Sequence, residues 1–207
     1  MTKPGDRMNY PEPLRALIPE GAEMELSAGE PQASMREALA RFDLAAAIAP
    51  RQLADLSLAD ACRSGLWLAH HFLDESHAIS QGIETPTGSF WHAIMHRREG
   101  DYDNSKYWFR QAGAHPAFVP LRQAARNEYL RDSNGRSDTT RAFAPLDILT
   151  LLDGERAWNP YAFVDLCKAA CHGRGDLDKS CRTIQLLEWR TLFDYCFDTA
   201  SRGAEKS

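Results

Sequence analysis

Apolar residues recur every three or four positions along most of the chain, a spacing that predicts amphipathic helices. The clearest stripe predicts one long helix from about Leu58 to Ser80, capped by Ser57 and closed by Gly82. Its apolar positions are Leu58, Ala61, Cys62, Gly65, Leu66, Ala69, Phe72 and Leu73. No segment alternates with a period of two for long, and β-branched residues are scarce. The pattern therefore predicts an all-α protein.

Capping residues, glycines and prolines place the other helices. One is predicted to begin at Ser34, with Glu37 at the capping-box spacing. A short helix is predicted over about residues 90–99, between Ser89 as its cap and Gly100 as its end. The remaining predictions are a helix capped by Asp103, a helical run from Pro116 through Arg131, and helices over Pro145 to Leu152, Pro160 to Cys171 (capped by Asn159) and Leu177 to Thr199.

The chain divides into a leader and one domain. Residues 1–33 hold five of the eleven prolines, so an irregular leader is predicted that lies over the domain or is partly disordered. Residues 34–207 are predicted to form a single irregular, bundle-like α-helical domain of about six to eight helices. A chain of 207 residues is long enough for one well-buried core.

Composition narrows the partners and the compartment. The net charge of -5 argues against broad nucleic-acid binding, which needs a basic excess. No apolar run approaches the roughly 20 residues that a membrane span requires, and the N-terminus lacks the apolar core of a secretory signal. The five cysteines are an odd number and widely spread, which fits a reducing compartment. A cytoplasmic protein is therefore expected.

The densest chemistry lies on two predicted helices that a short connection makes neighbours. On the second of them, His92, His96 and Glu99 are spaced four and three residues apart and share one face. An imidazole beside a carboxylate can serve as a general base, so these three are predicted to be catalytic residues. The alternative is a solvated face on which His96 and Glu99 form an ordinary surface pair.

On the first of these helices, His70, Asp74 and His77 also share one face. Helical bundles hold metal ions with imidazoles and carboxylates at such spacings, so these three and His96 are predicted ligands for zinc, iron or manganese. The stronger His-Glu-x-x-His motif is absent, as are the glycine-rich loops that bind nucleotides or flavins. A metal is therefore the one cofactor that the sequence suggests.

Cations and aromatic residues follow the histidines directly. The residues predicted to bind an anionic substrate are Arg97, Arg98, Lys106 and Tyr107. The alternative is that Arg98 pairs internally with Asp101, Asp103 or Glu188 and that the aromatic residues belong to the core. Glu188 lies in an apolar stripe of the last helix, so it is either a catalytic acid or the anchor of a buried arginine.

The block GSFWHAIMHRREGDY, from Gly88 to Tyr102, is followed by Asn104 and by KYWF from residue 106 to 109. This block resembles one shared by an uncharacterised group of bacterial proteins. No activity is attached to that group, so the resemblance implies only that the block is not random surface.

Two functions follow from these patterns. The first is binding of a small, anionic molecule in a polar cleft lined by His, Arg and Glu, with acid/base or metal-assisted catalysis left open. The second is a non-catalytic protein-interaction or self-associating module that uses Trp91, Trp108 and Tyr107 as anchors. Whether the protein forms a homo-oligomer is open in both.

Overall fold

The computed structural model describes residues 10–134, 158–172 and 176–202, and every regular element in these ranges is helical. A 3-10 turn over Ala33–Met35 accompanies ten α-helices. In chain order these are α1 (Glu12–Arg15), α2 (Arg36–Arg41), α3 (Leu44–Ile48), α4 (Leu56–Ala69), α5 (Leu73–Ser80), α6 (Pro86–Glu99), α7 (Tyr102–Ala112), α8 (Phe118–Asn134), α9 (Pro160–His172) and α10 (Asp176–Ser201). The all-α prediction is confirmed. The helix predicted over Pro145 to Leu152 lies outside the described residues.

Helix α6 lies at the centre of the fold. It packs against α4, α5 and α7, while α10 packs against α4, α8 and α9. Every residue of α6 from Thr87 to Arg98 is buried, on its polar as well as its apolar sides. A buried polar group is costly without a partner. Two residues of α6, Trp91 and His92, have buried side-chain nitrogens that lack one.

The long helix predicted from Leu58 to Ser80 is wrong in one respect: it is two helices. His71 between them has a φ of 67°, in the left-handed region. The N–H of Phe72 bonds to the carbonyl of Trp67, and that of His71 to the carbonyl of Leu68, the Schellman pattern that ends a helix. No glycine or proline marks this break. It gives α5 a direction of its own, against α6.

The N-terminal caps of α6 and α7 also differ from prediction. Helix α6 begins at Pro86, where Thr85 Oγ1 accepts a hydrogen bond from the N–H of Gly88 at 3.2 Å, so the cap is Thr85 and not Ser89. A Cβ on Gly88 would lie 2.2 Å from the carbonyl oxygen of Ile83, which explains the glycine. Helix α7 is capped by Asp101 and not by Asp103.

Two other predicted caps differ and one is confirmed. Asp55 caps α4 in place of Ser57, and no side chain caps α2, where Ser34 was expected. Asn159 caps α9 as predicted, since its Oδ1 accepts from the N–H groups of the second and third residues of the helix turn at 3.1 Å each.

The described part of the leader packs on the helical core. Its buried apolar side chains are Tyr10, Leu14, Leu17, Met24 and Leu26. The N–H of Met24 also bonds to the carbonyl of Arg182 on α10 at 3.1 Å. Of the two alternatives for the leader, residues 10–33 therefore adopt the first and lie over the domain.

Candidate metal centre

Three imidazoles converge where α5 meets α6. His77 comes from α5, and His92 and His96 come from successive turns of α6. One ring nitrogen of each lies within 4.8 Å of the others. The rings of His92 and His96 are stacked with centroids 4.7 Å apart, and the His77 ring lies 4.7 Å from His92 and 5.3 Å from His96. The expectation that polar faces of consecutive helices meet is therefore fulfilled at these three residues.

His92 is the innermost ring of this histidine cluster. It is 2% exposed, and Trp108 of α7 stacks on it with ring centroids 4.0 Å apart and an interplanar angle of 19°. Neither of its ring nitrogens has a hydrogen-bond partner. Burial, together with the neighbouring imidazoles of His96 and His77, lowers the pKa of His92 to about 3. The ring is therefore neutral at physiological pH and carries a free lone pair.

His96 is held in a defined orientation by two neighbours. Its Nδ1 lies 2.9 Å from Glu99 Oε2, and the side-chain nitrogen of Asn104 lies 3.1 Å from its Nε2. A carboxylate accepts only, so Nδ1 carries the proton and Nε2 presents its lone pair. Histidines that bind metals are commonly fixed in this way, with the distal nitrogen donating to a carboxylate.

The space between the three rings suits a single ion. Zinc–nitrogen bonds of about 2.1 Å place two tetrahedral ligands roughly 3.4 Å apart, so small ring rotations would bring these nitrogens into position. Neutral imidazoles are typical ligands of zinc, iron, copper and nickel. His77 is half-buried, while His92 and His96 are buried, so the cluster opens to solvent on the α5 side.

The other two predicted metal ligands lie elsewhere. His70 is buried with both nitrogens in use: Nδ1 is 2.8 Å from Gln32 Oε1, and Nε2 is 2.8 Å from the carbonyl of Leu17. Asp74 is exposed and does not belong to the cluster. The break at His71 explains His70, which ends α4 and does not share a helix with His77. Asp74 lies on α5 with His77, but its side chain is exposed to solvent.

Arg97, a predicted ligand for an anion, is completely buried and paired inside the protein. Both terminal nitrogens bond to the Glu188 carboxylate, and Nε donates to Gln185 Oε1 at 3.1 Å. The guanidinium also lies 4.7 Å above the ring of Phe163. Glu188 is thus the anchor of a buried arginine, one of the two roles that its sequence position suggested.

Arg98 is equally occupied, on another side of α6. It donates to the carbonyls of Leu68, Ser27 and Ala28 at 2.5, 3.1 and 3.0 Å, and it lies 2.6 Å from His71 Nδ1. Burial lowers the pKa of Arg98 to about 10, which leaves it charged at neutral pH. Its function is to fasten the leader and the end of α4 to α6.

The remaining two residues of the predicted anion site are separate from both arginines. Lys106 Nζ lies 2.5 Å from Asp165 Oδ1 on α9. Tyr107 is 45% exposed and contacts Trp108 edge-on. The structure therefore brings together His77, His92, His96 and Glu99, but it does not gather Arg97, Arg98, Lys106 and Tyr107 around them.

Sequence reasoning missed how Asn104 and Trp108 take part in the site. Both lie on α7, four residues apart, and both contact histidines of α6. The spacing was the available signal, since residues four apart share a helix face. The pattern predicts Trp108 as a core residue or as an interaction anchor, and a lone asparagine carries little information by itself.

No family model, curated protein or solved structure matches the chain. The resemblance of residues 88–109 to a bacterial group stays a prediction. Among the described helices, none combines the length and the apolar character needed to cross a bilayer.

Proposed function

We propose that the protein binds one divalent transition-metal ion, zinc in the first instance, through His77, His92 and His96. The observation that carries the proposal is His92, a buried imidazole with no partner on either nitrogen at the centre of the cluster. An unpaired buried polar group costs about 1–3 kcal/mol. A metal ion would supply the missing partner for this group.

The electrostatics support an ion over an anionic organic ligand. The guanidinium groups that would bind an anion are paired with Glu188 and with backbone carbonyls. In contrast, the cluster offers neutral nitrogen donors and has Glu99 beside it, which favours a cation. Three imidazoles leave at least one coordination position for a further ligand. A bound metal would supply Lewis acidity there, and the hydrolytic use of that acidity is the catalytic form of the proposal.

A direct test is elemental analysis of protein purified without chelators, followed by equilibrium dialysis against zinc. We expect about one ion per chain in the wild type and its loss in His92→Ala and His96→Ala. A matched control is His71→Asn, which removes an imidazole outside the cluster and supplies a residue that tolerates a positive φ. Zinc far below one per chain in the wild type, or unchanged in His92→Ala, would contradict the proposal.

The interaction-module alternative has less support. Trp91, one of its anchors, is completely buried and packs against Trp189. Trp108 stacks on His92. Both indoles are thus used inside the protein, and Tyr107 is the one anchor with a large exposed fraction.

A further inference from the structure

We propose that Trp108 is a positioning residue of this metal centre, which holds the His92 ring in the orientation that binds the ion. The inference rests on the proposed function, since it concerns the same ion. It assigns a role to a residue of α7 that donates no ligand atom. The indole packs on the face of the imidazole and leaves the ring nitrogens, which lie at the edge of the ring, for the metal.

A hydrogen bond orients His96, whereas none orients His92. The Glu99 carboxylate lies 2.9 Å from Nδ1 of His96 and fixes the orientation of that ring. His92 has no hydrogen-bond partner on either nitrogen. The torsion that turns an imidazole about its Cβ–Cγ bond has a broad energy profile, so it does not fix the ring plane by itself. Packing must therefore set the plane of the His92 ring.

Two stacked rings enclose His92. The ring of Trp108 lies with its centroid 4.0 Å away and its plane at 19°, and the ring of His96 lies 4.7 Å away at 18°. An imidazole is too small for two rings to stack side by side on one face, so each of them covers one face. The His77 ring, 4.7 Å away and tilted by 59°, then contacts the edge of His92. The stack thus keeps the edge of His92 directed at the other imidazole of the cluster that comes from α5.

Metal binding strengthens the contact between Trp108 and His92. When a ring nitrogen of His92 donates its lone pair to an ion, the imidazole becomes more positive. The face of an indole is the negative part of its quadrupole, so it attracts a positive ring more than a neutral one. The stack also places the ring before the ion arrives, which reduces the entropy lost on binding. Both effects predict that removal of the indole weakens zinc binding.

The first measurement is zinc affinity, by competition with a chromophoric chelator, in the wild type, Trp108→Leu and Trp108→Phe. Tyr107→Leu is the matched control, since it removes the neighbouring and more exposed aromatic ring of α7. We expect Trp108→Leu to bind zinc about 10- to 100-fold more weakly, the range found when a supporting residue of a metal site is removed. Trp108→Phe keeps a flat ring and should retain most of the affinity. The control should be unchanged, and none of these substitutions alters the charge.

The second measurement is the near-ultraviolet difference spectrum that appears when zinc is added. In the wild type, the ion should perturb the absorption of Trp108 through the stacked imidazole. The signal should disappear in Trp108→Phe, although this variant still binds zinc. If Trp108 served only to fill space on α7, its loss would lower the free energy of unfolding and would change neither this signal nor the zinc affinity of the folded protein.

The outcomes separate this inference from the proposed function. Wild-type affinity in Trp108→Leu, an equal loss in Tyr107→Leu or equally weak binding in Trp108→Phe overturns the inference and leaves the three-histidine centre standing. If Trp108→Leu does not fold, the difference spectra decide. A signal that is lost in Trp108→Phe supports the inference, and one that is absent from the wild type or persists in Trp108→Phe overturns it. A wild-type protein that binds no zinc overturns both proposals.

Discussion

Helix α6 carries two kinds of buried polar residue, and the contrast between them separates architecture from function. Every side-chain nitrogen of Arg97 and Arg98 has a partner within the protein. His92, just over one turn earlier, has no partner on either nitrogen. Paired buried groups hold helices together, whereas an unpaired buried group beside two similar ones fits a ligand that comes from outside. The predictions below test this distinction.

The largest change in the free energy of unfolding is expected when the buried pair of Arg97 and Glu188 is broken. Arg97→Met leaves the Glu188 carboxylate buried without its cation, so the free energy of unfolding should fall by about 3–5 kcal/mol. Urea unfolding measures this loss. The double variant Arg97→Met/Glu188→Met should recover most of it, because it buries no charge. A loss below about 1 kcal/mol in the single variant would mean that the pair is not structural.

His115 provides a buried histidine with both nitrogens paired. Nε2 lies 3.1 Å from Thr87 Oγ1, and Nδ1 accepts the N–H of Ala117 at 3.1 Å. Burial lowers the pKa of His115 to about 4. Between pH 6.5 and 4 the unfolded chain therefore binds a proton here that the folded chain does not, so stability falls as the pH falls. This one group contributes up to about 1.4 kcal/mol per pH unit.

We expect His115→Asn to remove that contribution while its side-chain oxygen still accepts from Ala117. The urea midpoints of the wild type and the variant, measured from pH 7 to pH 4, should converge toward acid. The lowered pKa of His92 also reduces the free energy of unfolding as the pH falls, and it does so in both proteins. The quantity to compare at each pH is therefore the difference between the urea midpoints of the wild type and the variant. Parallel curves would show that His115 does not stay neutral.

The fold was more predictable than the site. Amphipathic spacing located the helices around residues 58–80 and 90–99, because burial of an apolar stripe dominates helix placement. It missed the break at His71, where a histidine takes the left-handed position that glycine usually occupies and Arg98 bonds to its ring. That contact is between residues 27 positions apart, and no local pattern reports it.

The site was predictable where its residues share one helix. His92, His96 and Glu99 follow from spacing on α6, and His77 from the short connection between α5 and α6. The arginines were assigned to a ligand because sequence alone does not reveal that Glu188 lies opposite Arg97. A buried cation is structural when it is paired inside the protein, and its partner can be distant along the chain. Such a pair is visible only in the folded structure.

At the histidine cluster, a substitution is expected to raise the free energy of unfolding, by a smaller amount than the loss in Arg97→Met. His92→Phe removes two unpaired polar atoms and keeps a flat ring against Trp108, so metal-free protein should be more stable by about 1 kcal/mol. The variant should also lose zinc binding. The same change at His115 should destabilise the fold, because Thr87 and Ala117 lose their partner. Urea unfolding of both variants without metal makes the comparison, and equal destabilisation would contradict it.

The smallest change in the free energy of unfolding is expected at Lys106, which the sequence predicted to bind an anionic ligand. Its partner Asp165 is 62% exposed, and such pairs contribute about 0–1 kcal/mol. Lys106→Ala should therefore change the free energy of unfolding by less than about 0.5 kcal/mol. Its zinc affinity should equal that of the wild type. If Lys106→Ala bound zinc tenfold more weakly than the wild type, Lys106 would belong to the metal site and the prediction would be wrong.

The most direct test of the account is a crystal structure of the zinc-loaded protein with data collected at the zinc absorption edge. We expect one anomalous peak about 2.1 Å from a ring nitrogen of each of His77, His92 and His96. A zinc-loaded crystal with no peak among these three rings, or with its zinc bound at other residues, would contradict the central claim.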